Sequence, residues 1–423
     1  MNIQLAYGRT GHSVDLPDGT DVITSRFVPG LPNETAALQS ALRQPRGTAP
    51  LRDLVRAGDT VVIVHTDITR ATPNDRILPV LLAELTAAGV ARQDITLLNA
   101  LGTHRPQTDA ELREMLGAAV VENYRCLQHN AFDDENLVYL GETSNGHPVR
   151  INRHFHEADV TILTGFIEPH FFAGFSGGPK GILPSIAGTE SVFTNHGRAM
   201  IAHPKATWGN LDGNVIWEEM SQAARMAQPT FLLNVTLNVE KAITGIFAGE
   251  LFAAHAAGCA FVRESAMVPV AQPYDIVITT NSGYPLDQNL YQCVKGMSAA
   301  RQIVRAGGTI IMAGACNDGL PNHGKYAELL ARGGSPQGVL DLIAQPGFIE
   351  HDQWQVQIQA QIQLDADVYV YSDGLTDRQI KEALFLPCHS IEQTVAELKA
   401  KYGPDSRICV LPEGPLTIAY LTG

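Results

Sequence analysis

Apolar positions along this chain gather in short β-branched runs that end in Gly, Asp, Asn or His and give way to amphipathic stretches. That is the rhythm of strand, loop and helix in a parallel sheet. The clearest runs are DTVVIVHTD (59–67), DITLLNALGTH (94–104), ADVTILTGFIEPH (158–170), YDIVITTNSG (274–283), GGTIIMAGAC (307–316) and ADVYVYSD (366–373). Such runs predict strands covered on both faces. Helix starts are marked where a side chain can satisfy free amides: Thr108 with Glu111, Thr376 with Gln379, and Ser390 with Glu392 and Gln393 are capping-box-like arrangements. Further helices are predicted over 76–88, 213–227 and 287–305, the last with a Leu290, Val294, Met297 and Ile303 stripe. Proline disfavours helix continuation, so the two prolines of VPVAQPYD (268–275) set a domain boundary near residue 270. The fold expected is α/β with mainly parallel sheets, in two domains over 1–270 and 271–423, with the active site in the cleft between them.

A chain of 423 residues is long enough for two such cores, and 45% hydrophobic residues, with 38 glycines and 24 prolines spread along it, describe an ordinary folded protein. The net charge of -14 argues against an exposed polyanion-binding face, because nucleic-acid affinity comes from clustered Lys and Arg. No basic segment followed by an apolar run opens the sequence, and no stretch of about 18 apolar residues occurs. No membrane partner is therefore expected, and the cytoplasm is the expected compartment. The six cysteines are scattered without a C-x-x-C pair and are expected to be free, buried thiols.

In open α/β sheets ligands sit beyond the carboxyl ends of the strands, which directs attention to the loops there. GFIEPHFFAGFSGGPKGILP (165–184) places Gly174, Gly177 and Gly178 around Ser176 and Lys180. Glycines let backbone amides close on an anion, yet the P-loop pattern fails at Pro179 and Gly181, on either side of the lysine. Lys180 is then either a solvated lysine near a phosphate or, desolvated against glycine-rich backbone, a nucleophile open to covalent attachment. His104 ends NALGTH, His170 ends TGFIEPH and His196 lies in FTNHGRAM, three imidazoles on or beside loops of the expected ligand face. His154 and His156 precede a strand, on the opposite face, and read as structural. In HTDITRATP (65–73), Asp67 and Arg70 either cap the next helix or orient polar groups, Arg70 being suited to grip a carboxylate. In GYPLDQNLYQCVKG (283–296), Tyr291, Gln292 and Lys295 fall within about one helical turn.

Taken in order over nearly the full chain, these segments resemble the nickel-pincer cofactor-dependent lactate racemase family. The resemblance rests on DITR with Arg70, GTHRP with His104, GFIEPHFFAGFSGGPK with His170 and Lys180, and NH with His196. It continues through GYPLDQNLYQ with Tyr291 and Gln292, KGM with Lys295, and DQWQVQI with Trp354. What it implies is a nickel-bearing pyridinium-3-thioamide-5-thiocarboxylic acid mononucleotide linked to Lys180, with His196 completing the nickel coordination. Soft sulfur donors with imidazole suit square-planar nickel. The resemblance also places the nucleotide phosphate over the Gly174 to Gly178 loop, with Ser176 as a candidate donor, and implies cofactor contacts from Asp67, Gly177, Gly178, Tyr291 and Gln292. The reaction implied is racemisation or epimerisation of a small 2-hydroxy acid, lactate first. Hydride moves to and from the cofactor through a transient 2-keto acid, with His104 and His170 as the two acid/bases. Arg70, Lys295, Tyr291, Gln292 and Trp354 would bind the substrate, the N-terminal domain would carry the cofactor and nickel, and the proteins that build the cofactor would be partners. Two other classes remain open: a metal-dependent hydrolase or lyase using His104, His170 and His196 as a three-histidine site, and a non-catalytic nucleotide-cofactor binding protein.

Overall fold

The computed structural model describes residues 1–321 and 324–422 and divides into two compact units. One is formed by Phe27–His196 and Pro204–Glu264; the other by Met1–Arg26, Gly197–His203 and the chain from Ser265 onward.

The sheet of the first unit has six strands in the order Ile243–Gly249, Phe231–Leu237, Val160–Phe166, Val61–Thr66, Ile95–Ala100, Arg125–Gln128. Every neighbouring pair is parallel except at the Ile243–Gly249 edge, which returns antiparallel. Val61–Thr66 comes first in the chain and lies in the interior of the sheet; the next two strands are added on one side of it and the later ones on the other. Strand order therefore reverses between Val61–Thr66 and Val160–Phe166, the arrangement that opens a crevice at the carboxyl ends of a parallel sheet. Both of these strands lack polar alternation because both faces are covered: Val61 through His65, and all of Val160–Phe166, are buried. On one face Ile63, Leu97, Ile162 and Leu233 pack in a core with Leu38, Ile77, Leu78 and Leu81 from two helices. Burying each such side chain contributes about 1.5–3 kcal/mol.

The second unit holds an all-parallel sheet in the order Leu386–Pro387, Ala366–Tyr371, Val304–Ala313, Tyr274–Thr280, Ile408–Leu411, Asp21–Val22. Its last strand comes from the N-terminal segment. The hairpin of Asn2–Leu5 with His12–Asp15 also sends Ile3, Leu5, Val14 and Leu16 into a core with Ile276, Ile278, Ile311 and Val410. A single boundary near residue 270 does not express this. The first 26 residues fold with the C-terminal half, where the core that takes Ile3, Leu5, Val14 and Leu16 and the partner strand of Asp21–Val22 lie.

The two predicted capping boxes at Thr108 and Thr376 are formed, and Ser390 accepts from the Gln393 amide. The predicted helices occur as Asn74–Ala87, Val215–Ala227 and Leu290–Arg301. The last is shorter than its apolar stripe suggests, because Asn289 caps its start and the chain has already turned into a strand by Val304. Among the described residues no helix is long and apolar enough to cross a membrane. All six cysteines are free, and all but Cys126 are buried.

Candidate active site

At the reversal point of the first sheet, a cleft is lined by Thr66, Arg70, Gly177, Gly178, Lys180 and Asn234, among others. Its floor is formed by the two strands on either side of the reversal.

The loop after Val61–Thr66 carries Asp67, and the loop after the neighbouring strand brings His104 to it, with His104 Nδ1 2.6 Å from Asp67 Oδ2. Burial raises the Asp67 pKa, but the His104 charge and hydrogen bond, the Arg70 charge and the Thr69 hydroxyl together outweigh it. The carboxyl is held below the usual range. Thr69 Oγ1 donates to the second oxygen at 2.7 Å. An ionised carboxylate only accepts, so it keeps a proton on His104 Nδ1 and leaves Nε2 as the atom through which the ring exchanges protons. Asp67 is buried, whereas the His104 side chain keeps 38% of its surface exposed, so solutes reach the imidazole and not its partner.

After Val160–Phe166 the chain makes a two-residue-per-strand hairpin, Pro169–His170 with Gly174–Phe175, and then the tight turn Gly178–Gly181. His170 is buried, and its Nδ1 accepts from the Ala173 amide at 3.3 Å. The hub is Phe172. Its ring meets His170 edge-on with centroids 4.5 Å apart and His196 edge-on at 4.9 Å, and the Lys180 Nζ lies 5.6 Å from its centroid. Burial, and secondly the nearby Lys180 charge, push the pKa of His196 down to about 3. Its imidazole is therefore neutral, the form that ligates metals.

Supporting contacts lie behind these groups. Asn195, next to His196 and fully buried, donates through Nδ2 to Glu219 Oε2 at 2.8 Å. The other Glu219 oxygen accepts from Thr143 Oγ1 at 2.8 Å and meets His147 Nδ1 at 2.7 Å. A buried carboxylate with this many partners is a rigid post, because each donor offsets part of its desolvation.

The glycine loop differs from an open anion nest. The Ser176 hydroxyl donates to Phe166 O and accepts from the Glu168 amide, both at 2.9 Å, so its one proton is used inside the loop. The amides of Ser176, Gly178 and Lys180 donate to Glu168 O, Asn234 Oδ1 and Gly177 O. The loop lines the cleft, and in it these donors bond to protein atoms, where the glycines allow close packing.

In the second unit, Tyr291, Gln292 and Lys295 lie on Leu290–Arg301, the helix that follows Tyr274–Thr280, and Trp354 lies on Gln353–Asp365. Lys295 Nζ donates to Gln292 Oε1 at 2.7 Å, and Trp354 Nε1 donates to the Tyr291 hydroxyl at 3.1 Å. These four predicted residues form one cluster.

Within the first unit the structure gathers His170, Lys180 and His196 around Phe172, and Arg70 beside Asp67 and His104. It leaves His154 and His156 in the short helix Arg153–His156 before Val160–Phe166, at the end of the strand away from the cleft. Among the described residues no three His, Cys, Asp or Glu side chains are placed to hold a metal ion together, so the three-histidine alternative lacks its site. Sequence reasoning missed Phe172, Glu219, Asn234 and His255. A Phe in an FF pair or a His in an apolar helix carries no spacing signal that distinguishes it from core.

A two-unit α/β enzyme with its cleft at the reversal of a parallel sheet, a carboxylate-backed imidazole and a buried lysine is the class these features define. Residues 7–209 match the family model of the lactate racemase N-terminal domain, and residues 270–419 that of the lactate racemase C-terminal domain. Lactate racemase of Thermoanaerobacterium thermosaccharolyticum is 37% identical over 419 residues, 98% of each chain. That of Lactiplantibacillus plantarum is 39% identical over 384 residues, 90% of each chain. The solved structure of the lactate racemase apoprotein from T. thermosaccharolyticum matches with a TM-score of 0.91 at 36% identity, covering 99% of this chain and 100% of that one. A Thermotoga maritima protein, at 20% identity and a TM-score of 0.73 over 94% of this chain, shares the fold alone. The chain belongs to the lactate racemase family and is an isomerase.

Proposed function

We propose that the protein interconverts the enantiomers of lactate, or of a closely related small 2-hydroxy acid, with a nickel-pincer nucleotide held by Lys180 and His196. The observation that carries this reading is the gathering of Lys180, His170 and His196 on the single ring of Phe172. The residues fit such a group. His196 is a buried, neutral imidazole suited to nickel, and Lys180 lines the cleft with the amine that a covalent link would use. When bound, the nucleotide supplies a hydride acceptor, which spares the enzyme a carbanion beside an ionised carboxylate.

The rest falls to side chains. His104, oriented by Asp67, takes the hydroxyl proton of one enantiomer through Nε2, and His170 serves as the acid/base for the other. With the nucleotide bound, hydride would return to the opposite face of the transient 2-keto acid, and one of these imidazoles would return the hydroxyl proton. Arg70 holds the substrate carboxylate, and Lys295, Tyr291, Gln292 and Trp354 supply further substrate contacts. Asp67, Gly177, Gly178, Tyr291 and Gln292 also contact the cofactor, and Ser176 shapes its loop. The chain up to about residue 270 carries cofactor and nickel. The cofactor-building proteins are the expected partners, and the cytoplasm the expected compartment.

The test uses protein from a host that makes the cofactor, characterised by intact mass and nickel content. It should racemise lactate or a near analogue and, with deuterium at C2 in ordinary water, retain the label in both enantiomers. Loss of the label to solvent would replace hydride transfer with proton exchange. Unchanged rates in both His104→Ala and His170→Ala would remove the two histidines from the mechanism.

A further inference from the structure

The turn that carries Lys180 is gripped at two backbone atoms by side chains that the reaction itself does not use. His255, on the helix Leu251–Ala266, points Nε2 at the carbonyl oxygen of Ser176, 2.8 Å away. A carbonyl only accepts, so the ring carries its proton on Nε2; the Cys259 sulfur, one helical turn later, lies 3.4 Å from Nδ1 and 3.5 Å from Nε2. Trp217 stacks on the same imidazole, with centroids 5.0 Å apart and planes 20° from parallel. Burial pushes the His255 pKa down to about 4, against a small opposing effect of the Ser176 bond, so this one-donor form persists at neutral pH. From the strand Phe231–Leu237, Asn234 Oδ1 accepts the Gly178 amide at 2.8 Å.

These two grips explain the paired glycines. Gly177 and Gly178 have φ of +74° and +53°, in the left-handed region. A Cβ on Gly177 would lie 2.5 Å from Asn234 Oδ1, and one on Gly178 would lie 2.5 Å from His255 Cδ2. The glycines are there so that the imidazole and the amide can touch the backbone. Lys180 follows two residues later, its own amide donating to Gly177 O at 3.2 Å. The peptide planes held by His255 and Asn234 thus set the direction in which the Lys180 side chain leaves the turn. A buried polar ring costs free energy unless its hydrogen bond is made, and here it is made to this turn.

We propose that His255 and Asn234 are positioning residues for Lys180, bracing the Ser176 to Gly178 backbone so that the lysine amine is presented to the nucleotide cofactor for attachment. This rests on Lys180 being the attachment point.

The experiment compares wild type, His255→Phe, which keeps a ring and removes the donor, His255→Gln, which restores one N–H at similar reach, and Asn234→Leu, an independent break of the same brace. Each is made in the cofactor-building host and read for the fraction carrying the Lys180 adduct by intact mass. Each apoprotein is read for the rate of Lys180 methylation by formaldehyde and cyanoborohydride, relative to the other lysines, and for its thermal midpoint. The expected result is at least a tenfold loss of adduct in His255→Phe and Asn234→Leu, at least a threefold change in methylation confined to Lys180, and recovery of both in His255→Gln. Wild-type loading in either folded brace-breaking variant overturns the proposal. So does a His255→Gln protein that matches His255→Phe in loading, since the donor would then be irrelevant. If His255→Phe fails to fold, Asn234→Leu and His255→Gln decide by the same readings. If wild type carries no adduct, it is the attachment reading that fails, and the methylation rates alone decide whether the brace sets Lys180.

Discussion

Asp67 Oδ2 and His104 Nδ1 lie 2.6 Å apart, a buried carboxylate against a half-exposed imidazole. The pair joins two loops that leave neighbouring strands, and it gives the ring a fixed tautomer and a nearby negative charge to stabilise an imidazolium. Replacing Asp67 with Asn keeps a hydrogen-bond acceptor and removes the charge. Asp67→Asn should lower kcat per bound nickel for racemisation by about 10²- to 10⁴-fold, the usual range for general acid–base assistance. Chiral chromatography of product against time, with metal analysis of the same sample, checks this; a variant within threefold of wild type would show that the charge is dispensable.

Phe172 touches two histidines edge-on and lies under the lysine. Phe172→Leu removes both aromatic contacts, each worth about 0.5–1.5 kcal/mol. The expected outcome is nickel affinity of the loaded protein weakened about tenfold, since 1.4 kcal/mol is a factor of ten, while the chemical-denaturation midpoint falls only modestly. Competition with a nickel chelator measures it, and unaltered affinity would reduce Phe172 to core packing.

Lys180→Arg retains a cation in the turn but not a nucleophilic amine. Protein from the cofactor-building host should then show the bare chain mass, and racemisation should fall at least a hundredfold. An adduct mass persisting in Lys180→Arg would place the link at another residue.

Three buried histidines, His65, His129 and His255, are each pushed down to about 4 by burial. Unfolded, they titrate near the ordinary histidine value of about 6.5. The unfolded chain therefore binds more protons between those values, and stability present above about pH 6.5 is lost as pH falls toward 4, by an amount on the order of several kcal/mol. Urea denaturation of the apoprotein from pH 7.5 to 4.5 should show a falling midpoint. A midpoint that stays level would mean that these rings are solvated or charged in the folded protein.

Much of the scaffold was legible beforehand. Runs such as VVIVHT and VTILTGF have a single stable solution, a strand covered on both faces, so their positions and the loops after them could be read directly. The capping boxes at Thr108 and Thr376 are local in the same way, each closed within four residues. The placement of Met1–Arg26 was not legible: four-residue strands such as NIQL name no partner, and Asp21–Val22 finds its own nearly four hundred residues on. Nor were the partners of the Ser176 hydroxyl, Phe166 O and the Glu168 amide, which are set by how the loop folds back on its strand.

The sequence by itself determined which segments are strands and which loops carry Asp67, His104, His170, Lys180 and His196, because burial pattern and turn chemistry are written over a few consecutive residues. Only the tertiary structure decided that Asp67 backs His104, that Phe172 joins Lys180 to two imidazoles, and that His255 and Asn234 hold the glycine turn. Those contacts depend on the order in which strands sit side by side and on the angles at which distant side chains meet, and neither is encoded at any fixed spacing along the chain.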